Sequence, residues 1–149
     1  MPDATNPSLP EPRIIVAGFG PVGRAVADQL ARTGAQVVVV DLNPKTCDSL
    51  KQRGHRAVHG DVTDEATLRD AGIADAEALV LAVPDENQAL RACEVARRLA
   101  PDIFIAARTN FLSKGMLASQ AGADHVVVEE VVTAEAMSKA VAERLSSQS

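Results

Sequence analysis

The 149-residue chain has almost no aromatic side chains, with three Phe, no Trp and no Tyr. Its core must therefore be built from Val, Ala, Leu and Ile. Proteins that bind single-stranded nucleic acid stack bases on aromatic rings, and proteins that bind duplexes neutralise phosphates with clustered Lys and Arg. The sequence has no such cluster and carries a formal net charge of −5, which argues against nucleic acid as a partner.

Cysteine is also scarce. Cys47 and Cys93 are far apart, do not form a Cys-x-x-Cys motif, and are not preceded by a signal-peptide pattern. We expect reduced thiols in a cytoplasmic protein, with a disulfide the less favoured alternative. The three histidines, His55, His59 and His125, have no partner at zinc-ligand spacing, so no metal site is predicted.

Long apolar runs are missing as well. The longest, "VVVV" and "ALVLAV", are much shorter than the roughly 20 residues that cross a bilayer, so direct membrane insertion of this chain is not expected. Residues 1–12 hold four of the eight prolines and are interpreted as a disordered arm or linker. Residues 13–146 form one predicted domain, and residues 147–149 are expected to fray.

Between these ends, short β-branched runs alternate with helix-period segments six times. This alternation predicts an α/β fold, a Rossmann-like parallel six-stranded sheet of order 3-2-1-4-5-6 with helices on both faces. The strands are expected at Ile14–Ala17, Gln36–Val40, Arg56–His59, Ala78–Val83, Ile103–Ala107 and His125–Val128.

The helices show apolar positions at helical spacing. The first and last helices are each expected to present one apolar stripe to the sheet, formed by Val22, Val26 and Leu30 in the first and by Ala134, Met137, Val141 and Leu145 in the last. Asn43-Pro44 and Thr133 before Glu135 are interpreted as helix starts. Glycines are expected to end four helices, at Gly34, Gly54, Gly72 and Gly122.

The first strand runs into a glycine-rich turn, "GFGPVG". Gly18 would permit the tight turn, Gly20 would let backbone N–H groups reach a phosphate, and Gly23 would let the helix pack closely on the strand. The helix N-terminus favours an anion there without a lysine. Pro21 suits the first helical turn, and the missing Gly-Lys-[Ser/Thr] ending excludes a P-loop kinase or ATPase.

Acidic and basic residues follow the other strands at the same predicted edge. Asp41, at the end of the second strand, could accept both hydroxyls of an adenosine ribose and would repel a 2′-phosphate, or it could cap the following turn. Asp61 could contact a ligand or begin a turn. Arg108 could bind phosphate or carboxylate oxygens, or form an ion pair with Asp85, Glu129 or Glu130.

No catalytic residues are predicted. Ser113, Lys114 and Cys93 do not form a nucleophile-and-base set, and nothing is arranged as a general acid or base around a nicotinamide. An NAD-dependent oxidoreductase cofactor domain is nevertheless the alternative interpretation.

Five segments, "IIVAGFGPVG", "VVVVD", "GDVTDEATLRDAGIADAEALVLAVPDENQAL", "IFIAART" and "AGADHVV", together resemble the TrkA-N domain, the N-terminal lobe of RCK domains. They are most similar to the cytosolic domain of Kef-type potassium efflux and cation/proton antiporters. The resemblance spans residues 13 to about 145. It departs from the family at Pro21, where many relatives carry an Arg that reaches the phosphates, and it does not extend to the smaller C-terminal lobe of many potassium-channel regulators.

This resemblance implies a regulatory domain rather than an enzyme. The domain would bind NAD(H) or an adenine nucleotide (AMP, ADP or ATP) and control potassium or cation transport by a membrane transporter, at the cytoplasmic face of the membrane. A homodimer is expected, with Phe111, Leu112, Met116 and Leu117 leaving apolar surface uncovered. Carried onto the matching positions, the resemblance implies a cofactor-binding set of Gly18, Phe19, Gly20, Pro21, Val22, Gly23, Asp41, Leu42, Gly60, Asp61, Val62, Ala82, Val83, Pro84, Asn87, Arg108 and Glu130.

Overall fold

The computed structural model describes residues 11–148, so most of the predicted N-terminal arm and Ser149 lie outside the described residues. Six parallel strands form one sheet in the order β3-β2-β1-β4-β5-β6, which confirms the predicted fold class and strand order. The strands are β1 (Arg13–Ala17), β2 (Gln36–Asp41), β3 (Arg56–His59), β4 (Ala78–Leu81), β5 (Phe104–Thr109) and β6 (His125–Val128).

A helix follows each strand. The helices are α1 (Pro21–Arg32), α2 (Pro44–Gln52), α3 (Glu65–Asp70), α4 (Glu86–Leu99), α5 (Leu112–Gln120) and α6 (Glu129–Ser146), with a short 3₁₀ helix at Ile73–Asp75. Asn43 starts α2 as predicted, because its side chain accepts a hydrogen bond from the N–H of Lys45 and Pro44 follows it. The four predicted helix-ending glycines, Gly34, Gly54, Gly72 and Gly122, all have positive φ.

Four strands differ from their predicted bounds. β1 starts one residue earlier, at Arg13, and β2 ends one residue later, at Asp41. β4 ends at Leu81 rather than Val83, although the N–H of Ala82 still donates a hydrogen bond of 2.8 Å to the carbonyl of Ala17. β5 starts at Phe104, because the N–H of Ile103 closes a turn onto Ala100. It continues to Thr109, which pairs with Val128.

The core lies mainly between the sheet and the α3–α4–α5 face. Branched residues from neighbouring strands, such as Ile15, Leu79 and Ile105, are at most 1% exposed and pack with residues of α3 and α4 such as Leu68 and Ala92. Fully burying one such Ile or Leu contributes about 1.5–3 kcal/mol. A smaller cluster on the other face, formed by Val39, Cys47, Leu50 and Ala57, holds α2 on the sheet.

The residues that α1 buries against the sheet differ from the predicted apolar stripe. Val22 is 42% exposed, and the residues of α1 that are buried are Gly23 and Ala27. A Cβ on Gly23 would lie 1.7 Å from the carbonyl oxygen of Gly18. Because α1 approaches β1 this closely, only small residues fit at the contact.

The predicted stripe of α6 is wrong. None of the residues of α6 is buried, and Met137, Val141 and Leu145 are each at least 60% exposed. The helix also begins at Glu129 rather than after Thr133. Since β6 ends at Val128, no connecting turn brings α6 back over the sheet of its own chain.

Candidate functional site

A cleft of about 320 Å³ opens at the carboxyl ends of the central strands. This is the edge where open α/β sheets bind ligands. Nine of the predicted site residues line the cleft together with Val40 and Gln88, which the sequence analysis did not select; the nine are Gly18, Phe19, Gly20, Asp41, Leu42, Gly60, Val62, Val83 and Pro84.

The glycine turn forms one wall of the cleft and needs two of its glycines for structural reasons. Gly18 has φ +91°, and a Cβ there would lie 3.0 Å from backbone atoms of Ala82 and Val83. At Gly23, a Cβ would collide with the carbonyl oxygen of Gly18, so only glycine fits there. A Cβ on Gly20 would meet nothing within 4 Å, so this position leaves open space in front of the backbone.

The N-terminus of α1 starts at this turn. Gly20 is its N-cap and offers no side chain to the first N–H groups, and the first turn carries no acidic residue. Pro21 occupies the first helical turn, as its fixed φ allows. The partial positive charge of the helix start is therefore left uncompensated by acidic side chains of α1 itself, which favours a bound anion.

Asp41 connects the end of β2 to the glycine turn. Its Oδ2 accepts a hydrogen bond from the N–H of Phe19, and its Oδ1 accepts one from the N–H of Asn43, both at 2.8 Å. A carboxylate has about four acceptor positions, two on each oxygen. Because each oxygen of Asp41 accepts one N–H group, each has one acceptor position left for a ligand hydroxyl. The structure thus gives Asp41 the turn-capping role and also places it in the cleft wall.

Asp61 stands just behind the cleft lining. Its Oδ1 accepts hydrogen bonds from the N–H and the hydroxyl of Thr63, at 2.8 and 2.7 Å, and from the side-chain amide of Gln88 at 3.2 Å. The bonds from Thr63 are the main reason that the pKa of Asp61 lies below its ordinary value. Asp61 therefore stays ionised and fixes Gln88, which lines the cleft from α4.

The remaining predicted residues fall into two groups. Pro21, Val22 and Gly23 lie at the start of α1, and Ala82 lies against Gly18, so these four flank the cleft. Arg108, Asn87 and Glu130 do not line it. Arg108 pairs with Glu129, Asn87 accepts a hydrogen bond from Lys114 at 3.1 Å, and Glu130 accepts one from the N–H of Leu112 at 2.8 Å.

Two carboxylates hold the start of α5. Glu86, in the first turn of α4, accepts hydrogen bonds from the N–H groups of Asn110 and Phe111. Glu130, in the first turn of α6, accepts the N–H of Leu112. Glu86 was not among the predicted site residues, and an acidic residue at a helix start ordinarily stabilises only its own helix.

No cluster suited to metal binding or thiol chemistry occurs among residues 11–148. No group of three or more His, Cys, Asp or Glu side chains there could hold a metal ion. Cys47 and Cys93 are free and buried, and burial raises the pKa of Cys47 and raises that of Cys93 to about 11. In the same part of the chain, no helix combines the length and hydropathy of a membrane span.

The curated relatives of this chain include proteins of a potassium-efflux system. The chain is 33% identical over 112 residues to the glutathione-regulated potassium-efflux system protein KefC of Cronobacter sakazakii, a match that covers 75% of this chain and 18% of KefC. The chain thus spans about a fifth of the length of this curated relative.

Solved structures with the same fold include nucleotide complexes. The TrkA-N domain of the inner membrane protein YbaL from Escherichia coli aligns with a TM-score of 0.82 at 28% identity, over 89% of this chain and 97% of that one. The Kef C-terminal domain from Shewanella denitrificans, in its AMP-bound form, aligns with a TM-score of 0.74 at 28% identity, over 91% and 90% of the two chains. GsuK bound to ADP aligns with a TM-score of 0.71 at 25% identity, over 80% of this chain and 31% of GsuK, and a further structure shows the GsuK channel bound to NAD.

The family profile described as the TrkA-N domain matches residues 14–129, from β1 through the first residue of α6. This range contains the glycine turn and every residue that lines the cleft. The chain belongs to the TrkA-N domain family.

Proposed function

We propose that this chain is a regulatory domain that binds an adenine nucleotide or NAD(H) in the cleft and thereby controls potassium or cation transport by a membrane transporter. The observation that carries the proposal is the position of Asp41 opposite the glycine turn, which places an acceptor for ribose hydroxyls and an uncapped helix N-terminus in one cleft.

The chemistry of the cleft fits a nucleotide with free ribose hydroxyls. Apolar side chains of Val62, Val83 and Leu42 line it beside the Asp41 carboxylate and suit the faces of a base. A 2′-phosphate would meet the negative charge of Asp41. The AMP, ADP and NAD complexes of the Kef C-terminal domain and GsuK support this ligand class.

Calorimetric titration with AMP, ADP, ATP, NAD(H) and NADP(H) tests the binding proposal. We expect saturable binding of the ligands with free ribose hydroxyls and much weaker binding of NADP(H). Preferred binding of NADP(H), or binding of none of the five, would overturn it. A turnover assay with NADH and candidate carbonyl substrates tests the alternative of an oxidoreductase, which predicts NADH consumption.

A chimaeric transporter tests the regulatory proposal. Residues 13–146 would replace the matching segment of Cronobacter sakazakii KefC, and potassium efflux would be measured in bacterial cells that lack their own efflux systems. We expect efflux that changes with the nucleotide bound to the domain, at the cytoplasmic face of the membrane. Efflux that is the same with the native segment and with its Asp41→Ala variant would contradict a regulatory role for the cleft.

A homodimer is the partner we propose for the uncovered apolar surface. Phe111, just before α5, and Leu112, Met116 and Leu117 within it are each at least 45% exposed. α6 adds Met137, Val141 and Leu145 on a helix without buried residues. A second copy is the partner that supplies both an apolar helix and an apolar surface to receive it, because a two-fold dimer brings the same patches together.

Light scattering tests the dimer. We expect a dimer for the native chain and a folded monomer for Met137→Glu/Val141→Glu, since both side chains are exposed and the charges would be buried only in the interface. Lys139→Glu on the same helix is the control and should remain dimeric. A native chain that stays monomeric at high concentration would contradict the proposal.

A further inference from the structure

A second cavity, of about 330 Å³, lies on the face of the sheet that carries α1 and α2. Its floor is apolar and is formed by Ala27, Val39 and Leu50, which are all buried. It is separate from the nucleotide cleft, which opens at the strand ends. The volume falls within the range of small-molecule sites in proteins.

The rim of this cavity is basic. Arg24, Arg53 and Arg56 line it with His55, and Asp28 is the one carboxylate in the lining. Among residues 11–148, ion pairs involve other arginines, and none of these three lies within ion-pair distance of a carboxylate. In a chain with a formal net charge of −5, three arginines without carboxylate partners around one apolar floor create a local site of positive potential.

Phe19 joins this cavity to the nucleotide cleft. Phe19 lines both. On the cavity side, the guanidinium of Arg24 lies 5.2 Å from the centroid of its ring, which is cation–π distance. On the cleft side, its backbone N–H binds Asp41. A ligand that changes the position of Phe19 in one site therefore changes the lining of the other.

We propose that the cavity is a second binding site, for a small organic phosphate or carboxylate with an apolar body, and that it is coupled to the nucleotide cleft through Phe19. The apolar body contacts Val39 and Leu50, and the anionic group binds the arginines, whose planar donors match phosphate and carboxylate oxygens. The binding is independent of the function proposed above, whereas the coupling rests on it.

Phenyl phosphate is the probe, because it combines an aromatic ring with a dianion. In methyl NMR spectra of the full chain, we expect saturable shifts at Ala27, Val39 and Leu50. Phenol supplies only the aromatic ring and inorganic phosphate only the anion. Each should therefore bind about tenfold more weakly than phenyl phosphate. Shifts confined to Val62 and Val83 would place the probe in the nucleotide cleft and overturn the proposal.

Paired charge-reversal variants test the role of the arginines. Arg53→Glu/Arg56→Glu should weaken phenyl phosphate binding by about tenfold or more. Both side chains are exposed, so the fold should persist, which the unchanged methyl spectrum of the core would verify. Lys139→Glu/Arg144→Glu on α6 makes the same change in net charge and should leave binding unchanged. If both pairs of substitutions weaken phenyl phosphate binding equally, the effect depends only on net charge, and the proposed site is overturned.

The coupling has its own measurement. We expect saturating phenyl phosphate to change the Kd for AMP by about threefold or more, and this change should disappear in Arg53→Glu/Arg56→Glu. An unchanged Kd would overturn the coupling. If AMP does not bind at all, the nucleotide function fails, while the methyl shifts still decide whether the second site exists.

Discussion

The backbone N–H of Phe19 donates a hydrogen bond of 2.8 Å to the carboxylate of Asp41, 22 positions later in the chain. The other oxygen of the same carboxylate accepts the N–H of Asn43. Asp41 therefore fixes the glycine turn after β1 against the turn after β2. The residue proposed to accept the ribose hydroxyls therefore also connects two walls of the cleft.

Replacing Asp41 with Ala should weaken binding of AMP by about 1.5–3 kcal/mol, the usual range for hydrogen bonds to a charged group. It should also lower the free energy of unfolding, because the N–H groups of Phe19 and Asn43 lose their acceptor. Calorimetry and urea unfolding measure the two effects. Asp48→Ala, an exposed aspartate on α2, is the control. Undiminished AMP affinity in Asp41→Ala would show that Asp41 only caps the turn.

Two glycine substitutions in the same turn should have opposite outcomes. Gly23→Ala should destabilise the chain by about 3 kcal/mol or more, because its Cβ would lie 1.7 Å from the carbonyl oxygen of Gly18. Gly20→Ala should leave the free energy of unfolding nearly unchanged, since a Cβ there meets nothing within 4 Å, yet it should weaken nucleotide binding if phosphate occupies that space. Urea unfolding and calorimetry on both variants provide the comparison. Equal stability of the two variants would contradict the described packing of α1.

Pro21→Arg should strengthen binding of ADP and ATP more than that of AMP. In the native chain, backbone N–H groups and the helix start would bind the phosphates, so affinity should change little from AMP to ATP. An arginine adds a charge-assisted hydrogen bond of about 1–3 kcal/mol, partly offset by the loss of the fixed φ of proline. Dissociation constants for all three nucleotides at one ionic strength test this. Much tighter binding of ATP than of AMP to the native chain would mean that another cation contacts the outer phosphates.

Stability should fall in acid through Asp61 and Asp124. Hydrogen bonds from Thr63 hold the pKa of Asp61 below its ordinary value, and those from the N–H of Ile105 and from Arg97 do the same for the pKa of Asp124. A lowered folded-state pKa contributes stability above the unfolded value, near pH 4, and this contribution is lost as the pH falls through the folded values.

Urea unfolding between pH 3 and pH 7 checks the acid dependence. Asp61→Asn/Asp124→Asn should be less stable than the native chain at pH 7 and should lose less stability below about pH 4. Asp48→Asn, at an exposed position, should follow the native curve. Parallel curves for the native chain and the double variant would assign the acid sensitivity to other groups.

Both thiols should resist modification while the chain is folded. Cys47 and Cys93 are at most 1% exposed, and burial raises the pKa of each, to about 11 for Cys93, so the reactive thiolate is scarce at pH 8. Reaction with a disulfide reagent should be slow in buffer and fast for two thiols in urea. Rapid reaction of one thiol in buffer would reveal local opening of α2 or α4.

The strands and the glycine turn could be predicted because they depend on local patterns, and the strand order followed from the regular βα alternation and right-handed crossovers. The apolar runs around Val38 and Leu79 predict buried parallel strands, and the spacing of Gly18 and Gly23 predicts a close helix contact. The stripe of α6 illustrates the limit, because periodicity shows that Met137 and Val141 share a helix face but not which surface that face contacts.

Long-range polar contacts could not be predicted from the sequence. Gln88 lines the cleft because Asp61, 27 positions earlier, accepts its amide hydrogen bond. Three acidic residues at similar positions were predicted as possible ion-pair partners of Arg108. In the assembled β5–β6 edge, Arg108 pairs with Glu129. Such choices depend on distances that only the assembled sheet defines.

The two carboxylates at the start of α5 make three helices mechanically interdependent. Glu86 follows Pro84 of the cleft wall by two residues and binds the backbone just ahead of α5, while Glu130 binds the same segment from α6. If a ligand shifts the start of α4, either these hydrogen bonds break, at about 1.5–3 kcal/mol each, or α5 moves as well. The lower-cost response is a concerted displacement, and it would carry the exposed apolar side chains of α5 with it.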